Sequence, residues 1–353
     1  MTFTIQCITC NKEFTYTGRL PKCCSTTPYY DYFIPTVSLE TIQGEAGAPW
    51  VTLGLFKTPT VVLHHVSRLV DIPEVYAKCE HFNPTGSFKD RESEVAINVA
   101  KLLGKKEVSV ISSGNAALSA AAYALKADIA CHCFIPKKTS KEKIRLIKKF
   151  NGVIHFIDGF FEDVYRKVVD DQHAPFHVSA GQNPFRELGD ESICPEIVHD
   201  IGFVDAIVVP MGNGSLLSGI FNGMQKMKES GALKSYPKLI GIQVKNAAPI
   251  AMALKNDTDY EILDDIEDSI AEGIVALESY CSPKAINALK KTNGTVIEVT
   301  DSEIKTWNAI ALKKEALCIE PTAASVFPAL EKCRDLNLKK VALIITGTGL
   351  KSF

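Results

Sequence analysis

From about residue 108 to 345, short runs of β-branched residues alternate with stretches of helical period. That alternation constrains the fold more than any other feature of the chain. Val108-Ser109-Val110-Ile111 reads as a strand, and 116–125, small and apolar, as the helix after it. Strands at 130–135, 153–157, 206–209, 239–244, 296–299 and 341–345 are interleaved with helices at 140–150, 162–170 and 216–228. Thr300-Asp301-Ser302-Glu303 has the spacing of a capping box and opens a further helix to about 314. Strand–helix repeats of this kind bury a parallel sheet under helices on both faces. A chain of 353 residues suits two such domains, and no linker rich in Gly, Pro or Ser separates them. The expected fold is therefore α/β, with two interleaved doubly wound domains of mainly parallel sheets and a small N-terminal module. The module spans 1–48, the larger domain 49–92 with 206–353, and the smaller domain 93–205.

Composition narrows the partners. A net charge of -2 gives no bulk attraction to nucleic acid or an anionic membrane. No apolar run approaches the ~18 residues of a membrane span. The first residues lack a basic region followed by an apolar core, so no secretory signal is expected. Eleven scattered cysteines read as reduced thiols, which predicts a cytoplasmic protein.

Ligands of open parallel sheets bind at the carboxyl ends of the strands. Four loops are therefore of interest. Asn83-Pro84-Thr85-Gly86-Ser87-Phe88-Lys89-Asp90-Arg91 is a turn running into a helix, with Lys89 near its start. Desolvation and the positive helix end both lower a lysine pKa, as a nucleophilic amine requires; a solvated surface lysine is the alternative. Gly212-Asn213-Gly214-Ser215-Leu216 follows a strand and opens a helix, so it can cradle a phosphate or serve as a plain turn. Its glycine spacing is not that of a dinucleotide fingerprint or a P-loop. Ser112-Ser113-Gly114-Asn115-Ala116 offers hydroxyls and helix-start amides to a carboxylate, or simply caps its helix. Thr346-Gly347-Thr348-Gly349-Leu350-Lys351 follows the last strand and places a hydroxyl at Thr346.

Taken together and in order, these four loops resemble the fold-type II enzymes that use pyridoxal phosphate (PLP), and among them threonine synthase. The resemblance runs from about residue 50 to 353. It implies an architecture like the tryptophan synthase β subunit and a homodimer acting on a small amino acid. It implies that Lys89 carries the cofactor as a Schiff base and moves the α-proton, and that Phe88 flanks the ring. Asn115 is implied for the ring hydroxyl, Gly212, Asn213, Gly214, Ser215 and Leu216 for the cofactor phosphate, and Thr346 for the pyridine nitrogen. Ser112, Ser113 and Ala116 line the implied substrate side, and Arg186, in Asn183-Pro184-Phe185-Arg186, grips a substrate phosphate. The implied reaction converts O-phosphohomoserine and water to threonine and phosphate.

The chain departs from the threonine synthase pattern at several positions. Ala116 stands where that family usually has Thr, Gly181 where it has Ser, and Glu92 where it has Gly. Ile270-Ala271-Glu272-Gly273-Ile274-Val275 is more similar to serine/threonine ammonia-lyases. Three alternatives stay open: an ammonia-lyase, a cysteate synthase-like β-replacement on O-phosphoserine, and a non-catalytic PLP-binding protein. Cys7, Cys10, Cys23 and Cys24 are candidate zinc ligands, although adjacent Cys23 and Cys24 break the second knuckle of a ribbon; a metal-free remnant is the other reading. Cys131-His132-Cys133 reads as core, and the basic run at 137–149 as a solvated helix face.

Overall fold

The computed structural model describes residues 2–24, 29–45, 49–54, 57–112, 114–137, 139, 141–159 and 161–352. Its strands are β1 (Phe3–Cys7), β2 (Glu13–Tyr16), β3 (Phe33–Pro35), β4 (Thr60–Val62), β5 (Glu74–Lys78), β6 (Glu107–Ile111), β7 (Ala130–Pro136), β8 (Val153–Ile157), β9 (Phe176–His177), β10 (Ala206–Pro210), β11 (Lys238–Val244), β12 (Thr295–Val299) and β13 (Lys340–Ile344). Contacts divide the chain into two compact units, Met1–Leu55 with Lys89–Asp190, and Phe56–Phe88 with Glu191–Phe353. The divisions at 55, 88 and 190 stand where the sequence reading put 48, 92 and 205.

The first unit holds two sheets. The N-terminal strands form a three-stranded antiparallel sheet in the order β2-β1-β3. The second sheet is parallel, in the order β8-β7-β6-β9. The helices Lys89–Leu102 and Asn115–Ala127 pack on one another, and both carry small buried residues, among them Ala96, Ala100, Ala117, Ala120 and Ala124. Small side chains let two helix axes approach closely, which is why an alanine-rich segment of low amphipathicity is stable here.

The second unit is built on a six-stranded sheet, β12-β11-β10-β13-β5-β4, parallel except for the β4 edge. Successive residues of a strand face opposite sides. Val208, Ile240, Ile242, Val341 and Leu343 enter one apolar cluster, while Ile207, Val209, Leu239, Ala342 and Ile344 enter another. Both faces of the inner strands are covered, and β10, buried at every residue, is accordingly apolar throughout. The capping box forms as read: Thr300 Oγ1 accepts from the Glu303 N–H at 3.3 Å, and Glu303 Oε2 accepts from the Thr300 N–H at 2.7 Å.

Gly223, on the helix Ser215–Glu229, is where another segment crosses most tightly. A Cβ there would lie 2.0 Å from the carbonyl oxygen of Glu191. Gly223→Ala should therefore destabilise this unit by about 1–3 kcal/mol, the usual size of an overpacking penalty. Urea denaturation would show it as a lower midpoint; an unchanged or higher midpoint contradicts the packing described.

Candidate active site

The functional side chains lie in two sets, one on each unit. In the first unit, Lys89 is the first residue of the helix Lys89–Leu102, and its side chain is 18% exposed. Its Nζ donates to Glu92 Oε2 at 2.7 Å. Burial pushes the amine below its ordinary pKa; the Glu92 carboxylate opposes this, and the Arg186 guanidinium reinforces it. Glu92 is fully buried, and the same Oε2 also accepts from the Arg186 guanidinium. Arg186 is itself 3% exposed, so it is not a surface ion pair.

Local structure explains why Arg186 is there. It ends a 3-10 turn, Pro184–Arg186, capped by Asn183, whose Oδ1 accepts from the Phe185 N–H at 3.1 Å. The Asn183 amide also donates to the His177 carbonyl at 2.9 Å. Phe185 is fully buried, with its ring centroid 5.2 Å from those of Phe3 and Tyr16. Tyr16 donates its hydroxyl to the Gln182 carbonyl at 3.1 Å. The N-terminal sheet thus clamps the turn that carries Arg186. Beyond the turn, Gly189 lets the short helix Glu187–Asp190 seat on the start of the Lys89 helix, since a Cβ there would lie 2.1 Å from the Arg91 carbonyl oxygen.

The serine loop belongs to the same unit. Ser112 Oγ accepts from the Gly114 N–H at 3.1 Å, which turns it back on its own loop. Gly114 is the N-cap of the helix Asn115–Ala127, and Asn115 and Ala116, both partly buried, form its first turn. Ser113 lies outside the described residues. Ser119, one turn further on, donates to buried Asp90 at 2.6 Å and ties this helix to that of Lys89.

In the second unit, Gly212, Asn213 and Gly214 connect β10 to the helix Ser215–Glu229, whose first residues are Ser215 and Leu216. The start of that helix presents the N–H groups an α-helix leaves unpaired. Gly214 has φ +92°, and a Cβ on Gly212 would lie 2.7 Å from the Gly273 carbonyl oxygen, so neither position admits a side chain easily. The turn is braced from residues 279–281. Ser279 donates to the Gly212 carbonyl at 2.6 Å, and the N–H groups of Tyr280 and Cys281 donate to Asn213 Oδ1 and its carbonyl at 3.1 and 3.0 Å. Asn213 therefore shapes the loop with its side-chain oxygen. No sequence signal pointed to residues 279–281, because the contact spans more than sixty positions without a motif.

Phe88 and Thr346 are brought together in this unit. The Phe88 N–H donates to the Thr346 carbonyl at 3.0 Å, and the Thr348 N–H to the Gly86 carbonyl at 3.0 Å. Phe88 is partly buried against the apolar cluster. Thr346 is 2% exposed, and its Oγ1 has no hydrogen-bond partner among the described residues. Buried polar atoms nearly always have a partner in protein, water or ligand, so this hydroxyl is open to one. Within this unit, a glycine turn opening a helix suits a phosphate, and a buried hydroxyl without a partner among the described residues suits a hydrogen-bonding ligand atom.

The N-terminal cysteines form a separate cluster. Cys7, Cys10, Cys23 and Cys24 hold their Sγ atoms all within 4.8 Å of one another, despite the adjacency of the last two. Cys10 and Cys23 sulfurs are 3.3 Å apart. The Lys12 backbone, then Cys23 and Cys24, bring the Cys10 thiol down to about 7. Cys131 and Cys133 are buried in β7.

The model of a family described as pyridoxal-phosphate dependent enzymes matches residues 51–347. The chain is 27% identical to the threonine synthase of Methanosarcina acetivorans, over 99% of this chain and 92% of that protein. It is 30% identical to the threonine synthase of Methanocaldococcus jannaschii, over 83% of this chain and 75% of that one. Among solved structures, maize serine racemase superposes with a TM-score of 0.74 at 20% identity, covering 88% of this chain and 93% of the racemase. An L-serine ammonia-lyase from Rhizomucor miehei gives 0.73 at 16% identity, covering 83% and 94%. These two likenesses show the fold alone.

The lowered pKa of Lys89 has a direct consequence. In protein stripped of small ligands, its amine should react with an amine-selective reagent at a lower pH than the exposed lysines do. Peptide mapping across a pH series gives the midpoint; one at or above that of surface lysines contradicts the desolvated setting.

Proposed function

Because the chain belongs to the pyridoxal-phosphate dependent enzyme family, we propose that it is a threonine synthase-like lyase that converts O-phosphohomoserine and water to threonine and phosphate. The observation that carries this reading is the span of the threonine synthase relatives, which match this chain over 83% to 99% of its length. The residues at hand fit the cofactor: Thr346 offers a buried hydroxyl in need of a partner, and the 212–216 turn offers glycines that no side chain can replace without collision.

Bound PLP supplies a ring that withdraws charge from the substrate α-carbon. Lys89, whose amine burial pushes toward its neutral form, would hold the cofactor aldehyde and would take up the α-proton at Nζ. Gly212 to Leu216 take the cofactor phosphate on helix-start N–H groups. Thr346 would offer its hydroxyl to the ring nitrogen, Asn115 its amide to the ring hydroxyl, and Phe88 would stand beside the ring. Ser112 and Ser113 hold the substrate carboxylate beside Ala116. Arg186 holds the departing phosphate with a planar fork of donors. The setting is the cytoplasm, where the free thiols stay reduced, and the assembly is a homodimer.

A second reading is an ammonia-lyase acting on serine or threonine. It is favoured by Glu92, which already takes the Arg186 guanidinium, and by the stretch Ile270-Ala271-Glu272-Gly273-Ile274-Val275. Purified holoenzyme should release phosphate from O-phosphohomoserine, and Lys89→Ala should abolish both that release and the pyridoxyl label left by borohydride. Formation of 2-oxobutyrate from threonine with no phosphate release would transfer the assignment to the lyase reading.

We also assign zinc to Cys7, Cys10, Cys23 and Cys24. Tetrahedral zinc with Zn–S near ~2.3 Å needs four sulfurs at about the mutual spacing seen here. Metal analysis should find one zinc per chain in the wild type and much less in Cys10→Ser; equal content in both refutes the site.

A further inference from the structure

The group that the reaction scheme above leaves unused is Glu92. It is fully buried on the first turn of the Lys89 helix, and a single oxygen, Oε2, accepts from both Lys89 and Arg186. The guanidinium assigned to a ligand phosphate is thus already engaged by a carboxylate of the chain itself. The backbone that carries it is held in place, because Gly189 seats the next helix directly against the Arg91 carbonyl and the Glu92 N–H. The elements packed on this turn carry further charges. The Lys89 helix brings Asp90, Arg91 and Glu94, the helix Glu187–Asp190 brings Glu187 and Asp190, and the helix Asn115–Ala127 brings Tyr123. Burial pushes the Glu94 carboxyl toward its neutral form, so Glu92, in contact with both Lys89 and Arg186, is the carboxylate that faces an arriving dianion.

We infer that Glu92 is an internal anion that competes with phosphate for Arg186, and thereby sets how tightly the enzyme keeps a phosphate-bearing ligand. The competition has a use in a reaction that leaves inorganic phosphate behind. A guanidinium with no other partner would retain that product, since forked arginine–phosphate pairs are strong. A tethered carboxylate at high local concentration returns to the arginine and displaces it. Substrate phosphate must likewise part the Glu92–Arg186 pair, so Glu92 discriminates against weakly held anions. This inference rests on the reading of Arg186 as the phosphate-gripping residue.

The test measures binding of inorganic phosphate to the holoenzyme by titration calorimetry, with L-homoserine as an uncharged-side-chain control. Glu92→Gln keeps the shape and removes the charge. It should tighten phosphate at least tenfold, and by a much larger factor than it changes L-homoserine affinity; one unit charge removed about 4 Å away supplies more than such a factor. Glu92→Asp keeps the charge but withdraws it by one methylene, and should tighten phosphate by a smaller factor, so it decides the matter if the Gln variant does not fold. In a Glu92→Gln, Arg186→Gln double variant the gain should vanish. Phosphate affinity unchanged or weaker in the single variants overturns the inference. Equal tightening of both ligands, or a gain that survives loss of Arg186, overturns it too. Turnover of O-phosphohomoserine by wild type alongside unchanged phosphate affinity removes the role of Glu92 only. No turnover and no phosphate binding to any of these proteins removes the phosphate-substrate reading as well.

Discussion

One carboxylate oxygen, Glu92 Oε2, holds two cations in a setting nearly closed to water, and the chemistry of the first unit is arranged around it. Buried ions persist only where each has a partner; removing one leaves the others uncompensated, at a cost of several kcal/mol. Lys89 is therefore balanced between opposing influences. Burial favours its neutral form, and the adjacent carboxylate favours its ammonium. A lysine that must be an uncharged nucleophile needs the first influence to win, and the second Glu92 bond, to Arg186, takes part of the carboxylate's charge away from it.

Geometry around that oxygen is enforced from outside the site. The aromatic contacts of Phe3 and Tyr16 fix Phe185, Asn183 fixes the turn, and Gly189 fixes the height at which the next helix crosses. A metal-sized thiol cluster and the arginine turn thus share one support, the three-stranded N-terminal sheet. The second unit uses another device. There, Gly212 and Gly214 leave no space for side chains, and residues 279–281 hydrogen-bond the turn from behind.

Much of this was legible in the sequence, and the exceptions have physical causes. Strands at 153–157 and 206–209 and the helix opened by Thr300 were marked by β-branched residues and a cap, both local signals. Lys89 as the start of a helix, Thr346 after the last strand and the glycine turn after β10 were likewise local. β5 was not read, because its buried Lys78 looks like a surface residue until Glu196, 2.6 Å from its amine, is known to be there. β9 has two residues, too few for any period. Glu92 was visible only as an unusual residue; that its carboxylate joins Lys89 to Arg186 depends on a segment over ninety positions away. The cysteine quartet was named from the sequence despite the adjacency of Cys23 and Cys24, which spacing rules treat as a defect.

The order in which β5 finds its neighbours bears on how the molecule is made. It pairs with β4 directly, but its other edge waits for Lys340–Ile344, almost at the end of the chain. At ribosomal rates of roughly 5–20 residues per second, that edge stays open for some tens of seconds, with Val75 and Ala77 not yet covered. The first unit, whose last residue is Asp190, can close during the same interval. A nascent chain of this design is therefore half finished and half adhesive over the later part of its translation, with Lys89 already inside the finished half.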